Sequence, residues 1–214
     1  IQKTFNYKYR QKKDLSQAFI SIGFPGYSWN NSNRYALDII DILLCGNMSS
    51  RLFIKLREDE GLIYNISCSS NNYSSVGVFS ISLGTFSDIK SIIKCINIIV
   101  NELIDLKQKK ISKTELENSI NYIIGRKKID LEDSSNVASI YSEIILHKID
   151  TIKNNKLVYT EDTYIKDLKK VTATDIQNVA NELFRYNKCN LVILSKQLVK
   201  RNNIIDVVNK LYTI

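Results

Sequence analysis

Apolar and polar residues alternate from Gln17 to Phe24, with Ala18, Ile20, Ile22 and Phe24 on one side. A period of two predicts a strand with one buried face. Pro25-Gly26 ends it, and Pro25 is the only proline in the chain. The period then changes. Tyr35, Ala36, Ile39, Ile40, Leu43 and Leu44 recur at helical spacing behind the candidate caps Asn31-Ser32-Asn33, and Gly46 closes that helix. Ser49-Ser50 caps a short helix whose apolar face is Leu52, Phe53 and Leu56, and Gly61 is its left-handed stop. Residues 62–68 and 76–83 read as strands. The Asn- and Ser-rich stretch 69–75 joins them, so they form an antiparallel hairpin.

Helices dominate the remainder. Thr85-Phe86-Ser87-Asp88 caps a long one reaching about Leu106, striped by Ile89, Ile92, Ile93, Ile96, Val100, Leu103 and Ile104. Ser112-Lys113-Thr114-Glu115 is a capping box that opens a helix through Ile120 and Ile124 to about Asp130. Asp133-Ser134-Ser135 starts another, through Val137, Ile140, Tyr141, Ile144 and Ile145. Thr172 to Asp175 opens one through Ile176, Val179, Ala180 and Leu183. A strand over 190–194 and a terminal helix over 204–211 close the chain. A hairpin beside runs of helices predicts an α+β fold: an antiparallel sheet with helices packed on one face. No repeat or low-complexity linker divides residues 1–214, so one domain is expected.

Composition changes this picture little. The chain has 214 residues, 44% of them hydrophobic, which is enough to bury a core. Its longest apolar runs, 42–45 and 191–194, fall far short of the roughly 20 residues a membrane span needs. No membrane span is expected, which fits a soluble protein of the cytoplasm or an organellar matrix without choosing a compartment. Ile1-Gln2-Lys3-Thr4 carries no signal pattern, and the only methionine is Met48. The chain is therefore expected to be a trimmed or processed piece.

The net charge of +8 is spread over 8–13, 107–110, 126–128, 166–170 and 196–201. A nucleic-acid site would concentrate it on one element with aromatics interleaved. Solvated faces are the plainer account, so no nucleic-acid partner is expected. Salt-sensitive binding to DNA or anionic lipid is the most distant alternative. Cys45, Cys68, Cys95 and Cys189 form no Cys-x-x-Cys pair, which excludes a zinc ribbon. They are expected to be buried free thiols, which favours a reducing compartment.

Several chemistries can be excluded. His147 is the one histidine. Neither His-Glu-x-x-His nor its inverse can exist, so this chain is expected to bind no metal. Its position near a predicted helix C-terminus accounts for it. A Ser-His-Asp triad would need His147 and lacks a nucleophile elbow, and the glycines form no phosphate loop. The positive candidates are Arg57 and Tyr64. Arg57 ends the short helix, and Tyr64 begins the hairpin strand just past Gly61. A guanidinium and a phenol suit a peptide carbonyl, or the oxyanion formed when it is attacked. The plainer alternative pairs Arg57 with Asp59 or Glu60 and packs Tyr64 on the sheet.

Several runs resemble the C-terminal half of the insulinase/pitrilysin/mitochondrial processing peptidase family. They are Asn33-Arg34-Tyr35-Ala36-Leu37-Asp38, Met48-Ser49-Ser50-Arg51-Leu52-Phe53, Leu56-Arg57-Glu58 and Gly61-Leu62-Ile63-Tyr64. Supporting runs are Val76-Gly77-Val78-Phe79, Leu83-Gly84-Thr85, the helix start at Ile111, Gly125 within that helix, and Val171 to Ile176. The block from Met48 to Tyr64 is the specific part.

The resemblance implies a two-domain subunit of which this chain is the second, non-zinc half. The first half would carry His-x-x-Glu-His, with zinc activating water and a glutamate as general base. Here Arg57 would hold the peptide backbone, and Tyr64 would support the tetrahedral intermediate. The implied partners are a zinc-bearing N-terminal domain or subunit, in a homo- or heterodimer, and a peptide substrate. Zinc is then a cofactor of the full zinc metalloendopeptidase and not of this chain, which alone would be inactive. The alternative within the family is a non-catalytic subunit or scaffold.

Overall fold

The computed structural model describes residues 2–146, 152–153, 156–157 and 160–212. His147 lies outside the described residues. Five strands form the main sheet: β1 (Asn6–Gln11), β2 (Gln17–Gly26), β3 (Ile63–Asn72), β4 (Gly77–Phe86) and β7 (Asn190–Ser195). Their order is β1-β7-β2-β4-β3. The strands β5 (Ile152–Lys153) and β6 (Lys156–Leu157) pair with each other as a separate two-stranded sheet.

The period-two reading of β2 holds residue by residue: Ala18, Ile20, Ile22 and Phe24 are buried while Phe19 is exposed. β2 and β4 pair antiparallel from Gln17↔Phe86 to Gly26↔Gly77. β4 and β3 form the expected hairpin. β7 enters antiparallel to β2, and β1 lies outside it, parallel to β7. The sheet is thus antiparallel except at that edge. β1 itself was not predicted. Its sequence, Asn-Tyr-Lys-Tyr-Arg-Gln, lacks an aliphatic face, and its inward positions are the half-buried Tyr7 and Tyr9.

The helices are α1 (Arg34–Cys45), α2 (Arg51–Phe53), α3 (Ile89–Gln108), α4 (Lys113–Asp130), α5 (Ser134–Leu146), α6 (Glu161–Leu168), α7 (Ala173–Leu183) and α8 (Asn202–Asn209). One face of the sheet is covered, α1 lying on β3, α3 on β4 and α7 on β2. The core there includes Leu37, Ile40, Leu44, Phe79, Ile96 and Ile99, each essentially without solvent contact. The fold is therefore α+β, with the helices on one side. The capping box at Ser112/Glu115 is formed, with Glu115 N–H donating to Ser112 Oγ at 3.1 Å. α5 buries only Ile144 of its predicted stripe and leaves Tyr141 and Ile145 exposed. α6 was not predicted. A Thr160/Thr163 capping box starts it, too short a signal against so polar a segment.

One expectation is corrected. Cys45 and Cys68 are not free thiols; they form a disulfide, with Cα atoms 5.5 Å apart. Helix α1 packs on β3, so its last residue meets the strand, a tertiary contact that spacing along the chain does not reveal. Cys95 and Cys189 are buried and free, and burial pushes their thiols up to about 11 and about 12. With one bridge and two free thiols, the cysteines no longer favour a reducing compartment. The bridge closes a loop of separation 23. Chain entropy predicts that Cys45→Ser with Cys68→Ser costs about 3 kcal/mol, read as the shift in denaturant midpoint. Thiol titration finding four reactive cysteines in the unfolded, unreduced protein would remove the bridge.

Candidate functional site

The corner holding Arg57 and Tyr64 is built between two helices and the sheet edge. α2 runs without a break into a π-helical turn, Ile54–Asp59. Such turns are rare and concentrate at functional sites. Leu52 and Leu56 anchor this segment in the core. Arg51 clamps it to its neighbours, donating to Glu115 at 2.7–2.9 Å and to Asp105 at 3.2 Å. Lys55 pairs with Glu102. Gly61, at φ +58°, turns the chain out of the helix, a conformation costly for other residues. Its N–H reaches the Arg57 carbonyl at 3.2 Å, and the Leu62 N–H reaches the Leu56 carbonyl at 2.8 Å. Thr85 Oγ1 then donates to the Leu62 carbonyl at 2.6 Å, tying the corner to β4.

The register of β3 against β4 jumps at this point. Ile63 pairs with Thr85 and Asn65 with Gly84, leaving Tyr64 as the extra residue of a β-bulge. A bulge breaks the alternation of faces and re-aims a side chain. Ile63 stays buried, while Tyr64 and Asn65 are both exposed, Tyr64 by 54%. The Tyr64 ring meets Phe86 edge-on at 5.5 Å. Arg57 donates through Nη1 to the main-chain carbonyl of Tyr64, and its guanidinium lies 5.7 Å from the Phe53 ring. The two predicted site residues are thus brought together. The pairing of Arg57 with Asp59 or Glu60 does not occur: Glu60 binds Lys94, and Arg57 has no carboxylate partner among the described residues. Its other donors and the Tyr64 hydroxyl have no protein acceptor among the described residues. Spacing placed both residues at the corner. No sequence signal announced the bulge that turns Tyr64 outward.

Tyr64 sits at one edge of the sheet face that, among the described residues, no helix covers. Phe19, Val78, Phe86 and Val192 are each more than 40% exposed there, and small residues separate them. A shallow groove of about 230 Å³ crosses it, lined by Phe19, Ser21, Asn65, Ser67, Val192 and Leu194.

A second cavity, about 450 Å³, lies on the helical side. Asp38 and Asp41 of α1, three residues apart, line it with Arg34, Arg126, Lys127 and Tyr164. Burial pushes Asp38 up to about 6, although the Tyr164 hydroxyl, donating at 2.8 Å, and Arg34 oppose the shift. Burial, then the neighbouring Asp38, pushes Asp41 up to about 7. Folded carboxylates that titrate above their unfolded values hold protons the unfolded chain has lost. Their contribution is present at low pH and is lost as pH rises from about 4 through 7. Asp41→Asn is therefore expected to raise the melting temperature by about 5 °C at pH 8 and by much less at pH 4.5. Equal gains at both pH values would contradict the assignment.

The profile of the family described as the peptidase M16 inactive domain matches residues 1–123. An uncharacterized zinc protease of Bacillus subtilis is 30% identical over 179 residues, which cover 83% of this chain and 41% of that protein. One from Rickettsia felis is 29% identical, covering 80% of this chain and 40% of its own length. Among solved structures, a protease from Helicobacter pylori superposes with a TM-score of 0.79 at 21% identity, over 91% of this chain and 45% of that one. The peptidase M16 inactive domain from Pseudomonas fluorescens gives 0.69 at 16% identity, over 92% and 45%.

The fold and the sequence together define a domain of a zinc-protease family. The chain belongs to the peptidase M16 family, in the part described as its inactive domain. It spans about two fifths of the length of those curated relatives. No group of three or more His, Cys, Asp or Glu able to hold a metal is present among the described residues. The described residues do not fit a zinc site. Among the described residues no helix is long and apolar enough to cross a membrane.

Proposed function

We propose that this chain, residues 1–214, is the non-zinc domain of a zinc metalloendopeptidase. It closes one wall of a chamber against a zinc-bearing domain in the same or another chain. The observation that carries this is the corner itself. An exposed guanidinium and an exposed phenol, both with donors to spare, stand together at the rim of an uncovered sheet face. Arg57 holds the substrate backbone by donating to a peptide carbonyl. Tyr64 donates to the oxygen on which negative charge grows when that carbonyl is attacked. The Arg57 bond to the Tyr64 main chain holds the two groups in register, so little ordering is needed when a peptide arrives. The metal and the general base belong to the other half.

The test is peptide cleavage by the native protein together with its zinc-bearing half. Activity that chelator abolishes and zinc restores supports the reading. A stable assembly with bound zinc but no cleavage of any unfolded peptide would sink it.

A scaffold role is the second reading. A chain of Complex III2 from Candida albicans shares this fold at a TM-score of 0.76 and 13% identity. The spare donors of Arg57 and Tyr64 weigh against it, because a scaffold has no use for them.

A further inference from the structure

None of the five strands of the main sheet contains an aspartate or a glutamate, although the chain has 22 such residues. The strands do contain two cations, both on β1. Lys8 lies beside Val192 and Arg10 beside Leu194, on the uncovered face. Both are exposed, and neither has a carboxylate partner among the described residues.

The register lays this face out in rows. One row runs Arg10, Leu194, Phe19, Gly84, Asn65. The next runs Lys8, Val192, Ser21, Ser82, Ser67. Each row therefore passes from a cation, across apolar and then small positions, to the strand that carries Tyr64. Four inter-strand steps separate β1 from β3, roughly 19 Å, which an extended peptide covers in about six residues.

We propose that Lys8 and Arg10 form an anionic subsite, so that the preferred substrates are peptides carrying acidic residues about six positions from the bond held at Arg57 and Tyr64. The Phe19–Val192–Leu194 groove takes an apolar side chain in between. This rests on the proposed peptide-clamping role. The complementarity is one-sided: an acidic segment meets two unpaired cations and no like charge on any strand. A basic segment meets the reverse. Exposed charges select partners and speed encounter more than they add affinity, so the signature is a preference and not an absolute requirement.

The experiment uses the native protein with its zinc-bearing half and two quenched peptides of one sequence. One carries a pair of glutamates six residues from the scissile bond, the other a pair of glutamines. The expected kcat/KM ratio is about tenfold for the acidic peptide, carried by KM, and 0.5 M salt removes it. In Lys8→Gln with Arg10→Gln the ratio falls to about one, while Lys8→Arg with Arg10→Lys retains it.

Arg57→Ala slows both peptides and leaves the ratio alone, which separates failure of the clamp from failure of the subsite. Should the assembly cleave neither peptide, fluorescence anisotropy of the same labelled pair gives the ratio as dissociation constants. An unchanged ratio in the double glutamine variant overturns the proposal. So does tighter binding of a labelled oligonucleotide that is lost in the same variant, since that would assign the strip to nucleic acid.

Discussion

Arg57→Ala in the assembled protease lowers kcat/KM by on the order of 10²-fold, and Tyr64→Phe does the same, the scale of losing one oxyanion donor. The two losses differ in kind. In the proposed role the guanidinium would donate to an uncharged carbonyl in bound substrate and keep that contact afterwards, so much of the Arg57→Ala effect should appear in KM. The phenol matters most when negative charge develops, so Tyr64→Phe should act on kcat with KM nearly unchanged.

Arg57 is also bonded to the Tyr64 main chain, so removing it loosens the bulge that aims the phenol. The double variant should therefore lose less than the product of the two single factors. Both side chains are exposed and neither is part of the core, so melting temperatures should barely move. Single-variant rates within twofold of the parent, in correctly folded protein, would remove both residues from the site.

How much of this was legible in the sequence follows from which forces are local. β2 and the long helix α3 were plain, because each buries one face and burial imposes a period. Caps at Ser112 and Thr172 were equally plain, because a side chain satisfying a nearby N–H is a matter of three residues. β1 was not, since its hydrogen bonds come from β7, about 180 residues away. The Cys45–Cys68 bridge depends on the packing of α1 on β3.

The corner was half legible. A helix, a glycine and a strand at that spacing put Arg57 and Tyr64 near each other. The guanidinium-to-carbonyl bond and the bulge at Tyr64 arise only when β3 takes its register on β4. The half-buried carboxylates Asp38 and Asp41 left a faint signal, two acids three apart on a helix that is otherwise apolar after Arg34.

Two glycines give opposite results when a methyl group is added, and Gly77 tests the packing of the hairpin end, Asn72↔Gly77, that lies farthest from Tyr64. Gly77 opens β4, where the chain after β2 crosses over it. A Cβ there would lie 2.0 Å from the Tyr27 carbonyl oxygen and 2.6 Å from the Tyr27 amide nitrogen. Those are main-chain atoms and cannot swing aside. The crossing strand is also held in place: Asn72 Nδ2 donates to the Tyr27 carbonyl at 2.8 Å, and the Trp29 N–H reaches the Tyr73 carbonyl at 2.9 Å. Relieving the clash means parting the β3–β4 turn from the segment above it, so Gly77→Ala should cost about 3 kcal/mol. Gly125 lies inside α4 with nothing within 4 Å of the added carbon. Replacing a helical glycine by alanine in open space lowers the entropy lost on folding, so Gly125→Ala should gain about 0.8 kcal/mol. Urea midpoints read both. A Gly77→Ala protein as stable as its parent would mean that the β3–β4 hairpin does not meet the chain after β2 as closely as this. The strand that carries Tyr64 would then lose one of the contacts that fix its register.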